Sequence, residues 1–247
     1  MQSVLNALRV LEGVAAHQPV GVSELSRGLS LPKSSVQRAL RTLHTAGWIR
    51  PAGTELTRWA LTTKAVHVAH HAGGELSLRD VAVPVMEWLR GETDETIHLM
   101  VREGRHVVLI ERLETPKPLR IVLPLGSGAP LHGSSNGKAV LAHSAPEELD
   151  GILAAGLPRY TDTTVVDTGA LRAELEEIRR RGYATNKGEW RADIAAVASA
   201  ILGSEARAVA SLSISTPINR MPDDLRPRYG ALVREAARRI SDGLGPV

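Results

Sequence analysis

The first sixty-one residues alternate helical apolar periodicity with chain breakers in an order that leaves few folds open. Val4, Leu5, Leu8, Leu11, Val14 and Ala15 recur at helical spacing until His17-Gln18-Pro19-Val20-Gly21 interrupts them, which predicts a first amphipathic helix. Ser23 is placed to N-cap a short second helix, Glu24 to Leu29, with Leu25 and Leu29 on one face; Leu31-Pro32 then turns the chain. A third helix starts near Lys33. Its apolar stripe is Val36, Leu40 and Leu43, and at about 100° per residue Ser34, Gln37, Arg38, Arg41 and Thr45 fall on the other side. Gly47 is suited to end it. Trp48-Ile49-Arg50, a Pro51-Ala52-Gly53-Thr54 turn and Glu55 to Leu61 then read as a two-stranded hairpin, a wing.

Charge sets this segment apart. Residues 1 to 64 hold eight Lys and Arg against three acids, whereas the rest of the chain holds 22 against 24, so the net charge of +3 conceals a basic module ahead of a near-neutral one. That arrangement is expected if only the first meets a polyanion. Hydroxyls and amides on the third helix can bond phosphates or base edges, Arg38 and Arg41 can pair with phosphate or bridge guanine acceptors, and Arg50 and Arg58 on the hairpin are available to the backbone. A solvated face would account for any one of these features. Their order within one net-positive segment is far more specific than its parts.

Composition narrows the remaining classes. With 43% hydrophobic and 23% charged residues the chain is globular, and with no Phe its core must be built from Leu, Val, Ile and Ala. The absence of Cys excludes disulfides, Cys-ligated zinc, iron–sulfur clusters and thiol nucleophiles. No apolar run approaches a membrane span and Met1-Gln2-Ser3-Val4-Leu5-Asn6 lacks the order of a signal peptide, so the reading is a soluble, cytoplasmic chain that needs no cofactor.

Thr62 to Ala72 reads as helix up to Gly73-Gly74, and Ser77-Leu78-Arg79-Asp80 as a capping box opening a helix through Leu89 that Pro84 bends. From Thr96 onward, Ile97 to Val101, Val107 to Ile110, Ile121 to Leu123, Ile194 to Ile201 and Val209 to Ile214 read as strands. They alternate with helical segments near Gly137 to His143, Glu147 to Ala155, Ala170 to Arg181 and Asp224 to Gly243. The expected architecture is α+β in two domains: a winged DNA-binding module over 1–61, connector helices over 62–90 and a mixed α/β domain over 91–247.

The run Ser23-Glu24-Leu25-Ser26-Arg27-Gly28-Leu29-Ser30-Leu31-Pro32-Lys33-Ser34-Ser35-Val36-Gln37-Arg38-Ala39-Leu40-Arg41-Thr42-Leu43 resembles the winged helix-turn-helix of IclR-type bacterial transcription regulators. The resemblance places Lys33, Ser34, Ser35, Gln37, Arg38 and Arg41 at DNA, and Ser23 at the start of the preceding helix is counted with them. It extends over almost the whole chain through Gly128 to Ala139, through Arg181-Gly182-Tyr183-Ala184 with Glu189 shortly after, and through Ala210 to Pro217. It implies a GAF-like second domain that binds a small effector, with dimers that often join into tetramers. Asn186, Ile194 and Ala196 match positions that line the family's ligand cavity. Where that family usually carries a second Glu, a Gly, a Cys and an Ala-Pro pair, this chain has Trp190, Asp193, Ala196 and Ser199-Ala200, so a thiol and a backbone constraint are missing near the pocket.

The residues themselves also suggest a pocket. Ser134-Ser135-Asn136-Gly137 leads into a helix whose first amides favour an anion such as a carboxylate, and Ser213 and Ser215, two apart on a strand, turn their hydroxyls to one side. A small organic or aromatic acid is the expected ligand. Gly133-Ser134-Ser135-Asn136-Gly137 also matches the G-x-S-x-G elbow of serine hydrolases, but it follows Pro130-Leu131-His132 rather than a clear strand. His67 and His71 stand at i, i+4 without the further ligands a metal site needs and read as solvent-facing helix residues. The function these features predict is a ligand-responsive transcriptional regulator, expected to repress. The rivals are a ligand-independent DNA-binding protein and a hydrolase using Ser135.

Overall fold

The structure is a computed structural model that describes residues 2–52, 57–70 and 74–244. Two compact units divide it, 1–76 and 77–247.

The first unit packs three helices, α1 (Gln2–His17), α2 (Val22–Leu29) and α3 (Lys33–Thr45), with an antiparallel hairpin of β1 (Ile49–Ala52) and β2 (Arg58–Leu61) and a helix α4 (Lys64–His70). Val10, Val14, Leu25, Val36, Leu40 and Ile49 form its core, and each fully buried Val or Leu contributes roughly 2 kcal/mol. The inward face of α1 differs from the expected one. Val10, Gly13 and Val14 are buried, whereas Val4, Leu5 and Leu8 are about half exposed. Gly13 sets that rotation, because a Cβ there would sit 2.9 Å from Leu25 Cδ2 and 3.3 Å from Leu29 Cδ1. The cap of α2 is also corrected. Gly21 is the N-cap, its amide donating to the Glu24 carboxylate at 3.0 Å, and Ser23 lies inside the first turn. Gly47 follows α3 at φ +76° and the Trp48 amide reaches back to the Leu43 carbonyl, the expected stop. Val20 bridges Trp59 and adds a third edge to the hairpin. The expected turn at Gly53-Thr54 and the start of the second strand at Glu55 lie outside the described residues, as do His71 and Gly73.

The second unit is a six-stranded antiparallel sheet with helices on both faces. Its elements are α5 (Gly74–Thr93, mostly in this unit), β3 (Thr96–Glu103), β4 (His106–Leu113), β5 (Gly128–Pro130), α6 (Ser135–Ala142), α7 (Pro146–Ala154), α8 (Thr168–Arg181), β6 (Ala184–Lys187), β7 (Ile194–Leu202), β8 (Ala208–Pro217) and α9 (Arg226–Leu244), in the sheet order β5-β4-β3-β8-β7-β6. Period-two alternation assigns the faces. Ile97, Leu99, Val197, Leu212 and Ile214 pack under α5 and α9, while Met100, Ala198 and Leu109 meet α6, α7 and α8.

Three expectations change here. Ser77 lies inside α5, which begins three residues earlier, and the half of α5 that carries Pro84 is seated on the sheet by Ala82, Met86 and Leu89. Ile121 to Leu123 forms no strand and pairs with none among the described residues; Pro124, directly after it, has no amide to continue a ladder. A strand does precede the Ser134 turn, the short β5.

Candidate functional site

In the first unit the exposed side of α3 carries Lys33, Ser34, Gln37, Arg38 and Arg41, opposite buried Val36, Ala39, Leu40 and Leu43, with Ser35 half-buried between them. Among the described residues, the charged ends of Lys33, Arg38, Arg41 and Arg50 are engaged in no ion pair, although Arg side chains elsewhere are paired in quantity. Arg58 differs from that group. Its guanidinium meets Glu24 at 2.9 Å and donates to the Pro19 carbonyl at 2.9 Å, so it ties the hairpin to α2. The Gly21 amide and the Arg58 guanidinium hold Glu24 below the usual carboxylate range. Ser23 is exposed on α2.

In the second unit a cavity opens on the α6 face of the sheet. Its floor is set by register: Asn186, Ala196, Ser215 and Thr96 form one cross-strand row, and Ala198, Ser213 and His98 the next. These are small or polar side chains where a packed sheet would carry Leu or Val, and the vacated layer is the cavity. Its wall includes His98, Met100, Ser134, Ser135, Asn136, Asn186, Ile194, Ala196 and Ser215, closed by Ile121, Leu123 and Trp190 with Arg191 at the rim. Its volume is about 30 Å³, room for the centres of a couple of water-sized groups.

The candidate residues divide by what they do there. Ser134 is the N-cap of α6: its Oγ accepts from the Gly137 amide at 3.1 Å and donates to the Pro130 carbonyl at 2.7 Å. The helical amides of Ser135 and Asn136 precede the first intrahelical bond, so an anion at this end would meet them. Gly137 is not in the wall. It lets α6 press on the preceding turn, since a Cβ would fall 2.3 Å from the Leu131 carbonyl oxygen. Ser213 stands behind the wall, its Oγ 3.4 Å from that of Ser215. Asn186 donates to the Gly133 carbonyl at 2.5 Å and Asn136 to Ser211 Oγ at 3.1 Å, and both anchor the turn to the sheet. Among the described residues no histidine is hydrogen-bonded to Ser135, so the elbow pattern lacks its base.

His98, Met100, Ile121, Leu123, Ala129 and Arg191 were not foreseen in the wall, whereas Trp190 was expected near the pocket. The histidine was legible only as a lone polar residue in an apolar strand, and the others depend on long-range closure. The turn bearing Trp190 and Arg191 is clamped from three sides. Thr161 donates to the Gly188 carbonyl at 2.7 Å, Thr164 to the Glu189 carbonyl at 2.6 Å, and the Glu189 carboxylate meets Lys138 at 2.8 Å. Burial pushes Glu189 up from its ordinary value, against the pull of Lys138.

A two-stranded wing behind a helix-turn-helix, followed by a sheet domain with a small, mostly apolar cavity carrying a few polar groups, defines a ligand-binding transcription factor. The model of the IclR helix-turn-helix domain matches residues 3–53, and that of the bacterial transcriptional regulator IclR C-terminal matches residues 70–242. The chain belongs to the IclR family of bacterial transcriptional regulators. It is 37% identical over 225 residues to the HTH-type transcriptional repressor AllR of Escherichia coli K12, spanning 91% of this chain and 83% of the relative. The crystal structure of the Thermotoga maritima IclR superposes with a TM-score of 0.82 at 26% identity, covering 99% of both chains. An IclR homolog from Microbacterium hydrocarbonoxydans complexed with 4-hydroxybenzoate gives 0.80 at 29% identity, covering 98% of both.

Proposed function

We propose that this regulator is a repressor whose first unit reads operator DNA and whose second unit binds a small organic acid that alters operator affinity. The observation that carries the DNA half is the set of unpaired cations on one face of α3, with Ser34, Ser35 and Gln37 beside them. Lys33, Ser34, Ser35, Gln37, Arg38 and Arg41 contact DNA, Ser23 and Arg50 add to them, and Arg58 acts on the backbone only if it leaves Glu24. Repression is supported by the likeness to AllR, and an acid ligand by the 4-hydroxybenzoate complex of the Microbacterium homolog and by the α6 N-terminus with Arg191 near it.

Ser134, Ser135, Asn136, Asn186, Ile194, Ala196 and Ser215 frame the effector, with Gly137 and Ser213 supporting from behind. The domain limits 1–61, 62–90 and 91–247 remain our functional division, the middle stretch being the two-state element. A ligand shifts that element only by binding its two states unequally. One recognition helix reads few base pairs, so a homodimer on a two-fold related site, free or as a dimer of dimers, is the working assembly, and the cytoplasm its place.

The test is binding of the full chain to DNA upstream of its own gene and its neighbours, across a salt series, with and without a panel of small carboxylic and aromatic acids. Selective binding that one acid weakens is expected; weak binding indifferent to every acid overturns the proposal. Arg38→Ala and Arg41→Ala should each weaken operator binding about 5- to 150-fold, flattening the salt slope by about one if the contact is to phosphate. Acid binding should be unchanged in both, by calorimetry.

A further inference from the structure

His98 sits in the cavity wall at 2% exposure, with its Nδ1 3.1 Å from Ser215 Oγ. Its other ring nitrogen, Nε2, is buried and has no hydrogen-bond partner, and among the described residues it is the one such atom in that wall. A buried polar atom without a partner is costly to keep, and native proteins seldom keep one without a use. Nε2 lies at the far edge of the ring, on the face of the sheet where the cavity is. Behind the ring, Ser215 and Ser213 form a short run of hydroxyls, and either hydroxyl can donate. The ring can therefore hold its proton on either nitrogen, with Ser215 rotating to match.

We propose that His98 is the specificity-determining contact of the effector cavity, and that it selects a small organic acid carrying a second, uncharged oxygen placed to hydrogen-bond Nε2. The inference rests on the acid-effector reading above and adds what the cavity demands at its other end. Burial, with Arg112 adding, pushes the imidazole down to about 4, so it is neutral at physiological pH and offers a carboxylate no charge. The carboxylate belongs instead at the α6 amides and Arg191, leaving a hydroxyl or carbonyl oxygen to meet His98. The narrow cavity favours acids of few heavy atoms. A site built to bond such an oxygen rejects the analogue lacking it far more strongly than an apolar pocket could.

The experiment uses the full chain and matched acids: acetate with glycolate, propionate with lactate and pyruvate, benzoate with 4-hydroxybenzoate. Calorimetry should show the oxygen-bearing member of at least one set bound tenfold or more tighter, and that acid should shift the His98 Nε2 nitrogen resonance. His98→Leu should bring the members of that set within about twofold of each other, and His98→Gln, whose amide reaches the Nε2 position, should restore part of the preference. The thermal transition of the second unit in each variant reports whether it folds. The resonance shift is read in the unaltered protein and stands even if His98→Leu does not fold. Preference retained in a folded His98→Leu, no preference in the unaltered protein, or no resonance shift overturns the role of His98 alone. Failure of any acid to bind or to change operator affinity overturns the effector reading and this inference with it.

Discussion

Lys138 is, by volume, the largest fully buried side chain among the described residues, and its ammonium is answered by Glu174 at 2.6 Å and Glu189 at 2.8 Å. Removing one partner of such a group leaves an uncompensated charge behind, so Lys138→Met should cost about 3–5 kcal/mol in urea unfolding. Adding Glu189→Gln should recover part of that loss. Titration gives a second residue-level prediction. His98 is pushed down to about 4 from an ordinary 6.5, so the unfolded chain takes up its proton first as pH falls. Its neutral form contributes stability above pH 6.5 that is lost progressively toward pH 4, by up to about 3 kcal/mol. Glu189 has the opposite sign: raised by burial, it favours folding below its ordinary range and loses that contribution as pH rises through its folded value. Comparing unfolding free energies of the unaltered protein and His98→Gln from pH 7 to 4 isolates the histidine, and parallel curves would sink the assignment. Most of the serines and Asn186 could be placed at the cavity from turn chemistry, strand alternation and family likeness. The partners of Lys138 could not, because Glu174 and Glu189 come from segments 36 and 51 residues away.

Elements declare themselves where local chemistry decides them. The long strands β3, β4, β7 and β8 and the helices α3, α6, α8 and α9 fall close to where periodicity puts them, because each buries a full face. The misses have local physical causes. Gly21 rather than Ser23 caps α2, since the Glu24 carboxylate already answers the Gly21 amide. Ile121 and Leu123 do alternate inward, yet the segment pairs with no strand among the described residues and closes the cavity as a loop, the Leu123 carbonyl taken by the Arg112 guanidinium. Two short strands, β5 and β6, were unforeseen because three or four residues carry little periodicity and are defined by the neighbours they pair with. Gly137 makes the element-scale prediction. With the Leu131 carbonyl 2.3 Å from any Cβ, Gly137→Ala must lift the start of α6 off the turn beneath it. The expected result is a loss of about 3 kcal/mol and abolished acid binding with operator recognition retained. A variant as stable as the parent would show that the contact relaxes freely.

The whole molecule has separate cores. Val10, Leu25, Val36 and Leu40 pack within the first unit, while α5 and α9 seat on one face of the second unit's sheet and α6, α7 and α8 on the other. Calorimetric unfolding should therefore show two transitions, and Leu40→Ala should lower only the one that accompanies loss of DNA binding, by about 2–5 kcal/mol. A single transition shifted as a whole would mean that the units unfold together. A small basic segment ahead of a larger, near-neutral one was legible from charge and break residues alone, whereas the cavity required the register of four strands, one of them, β3, far from the others in sequence. The Trp190 turn has a further consequence for light. With no Phe and few Tyr, the chain's ultraviolet emission comes mainly from four indoles, at Trp48, Trp59, Trp88 and Trp190. Trp88 lies under Arg239, Trp48 and Trp59 belong to the winged unit, and of the four only Trp190 lines the cavity. An effector entering as proposed would meet that ring and perturb one fluorophore in four, which would give the protein a native optical signal for occupancy without any attached dye.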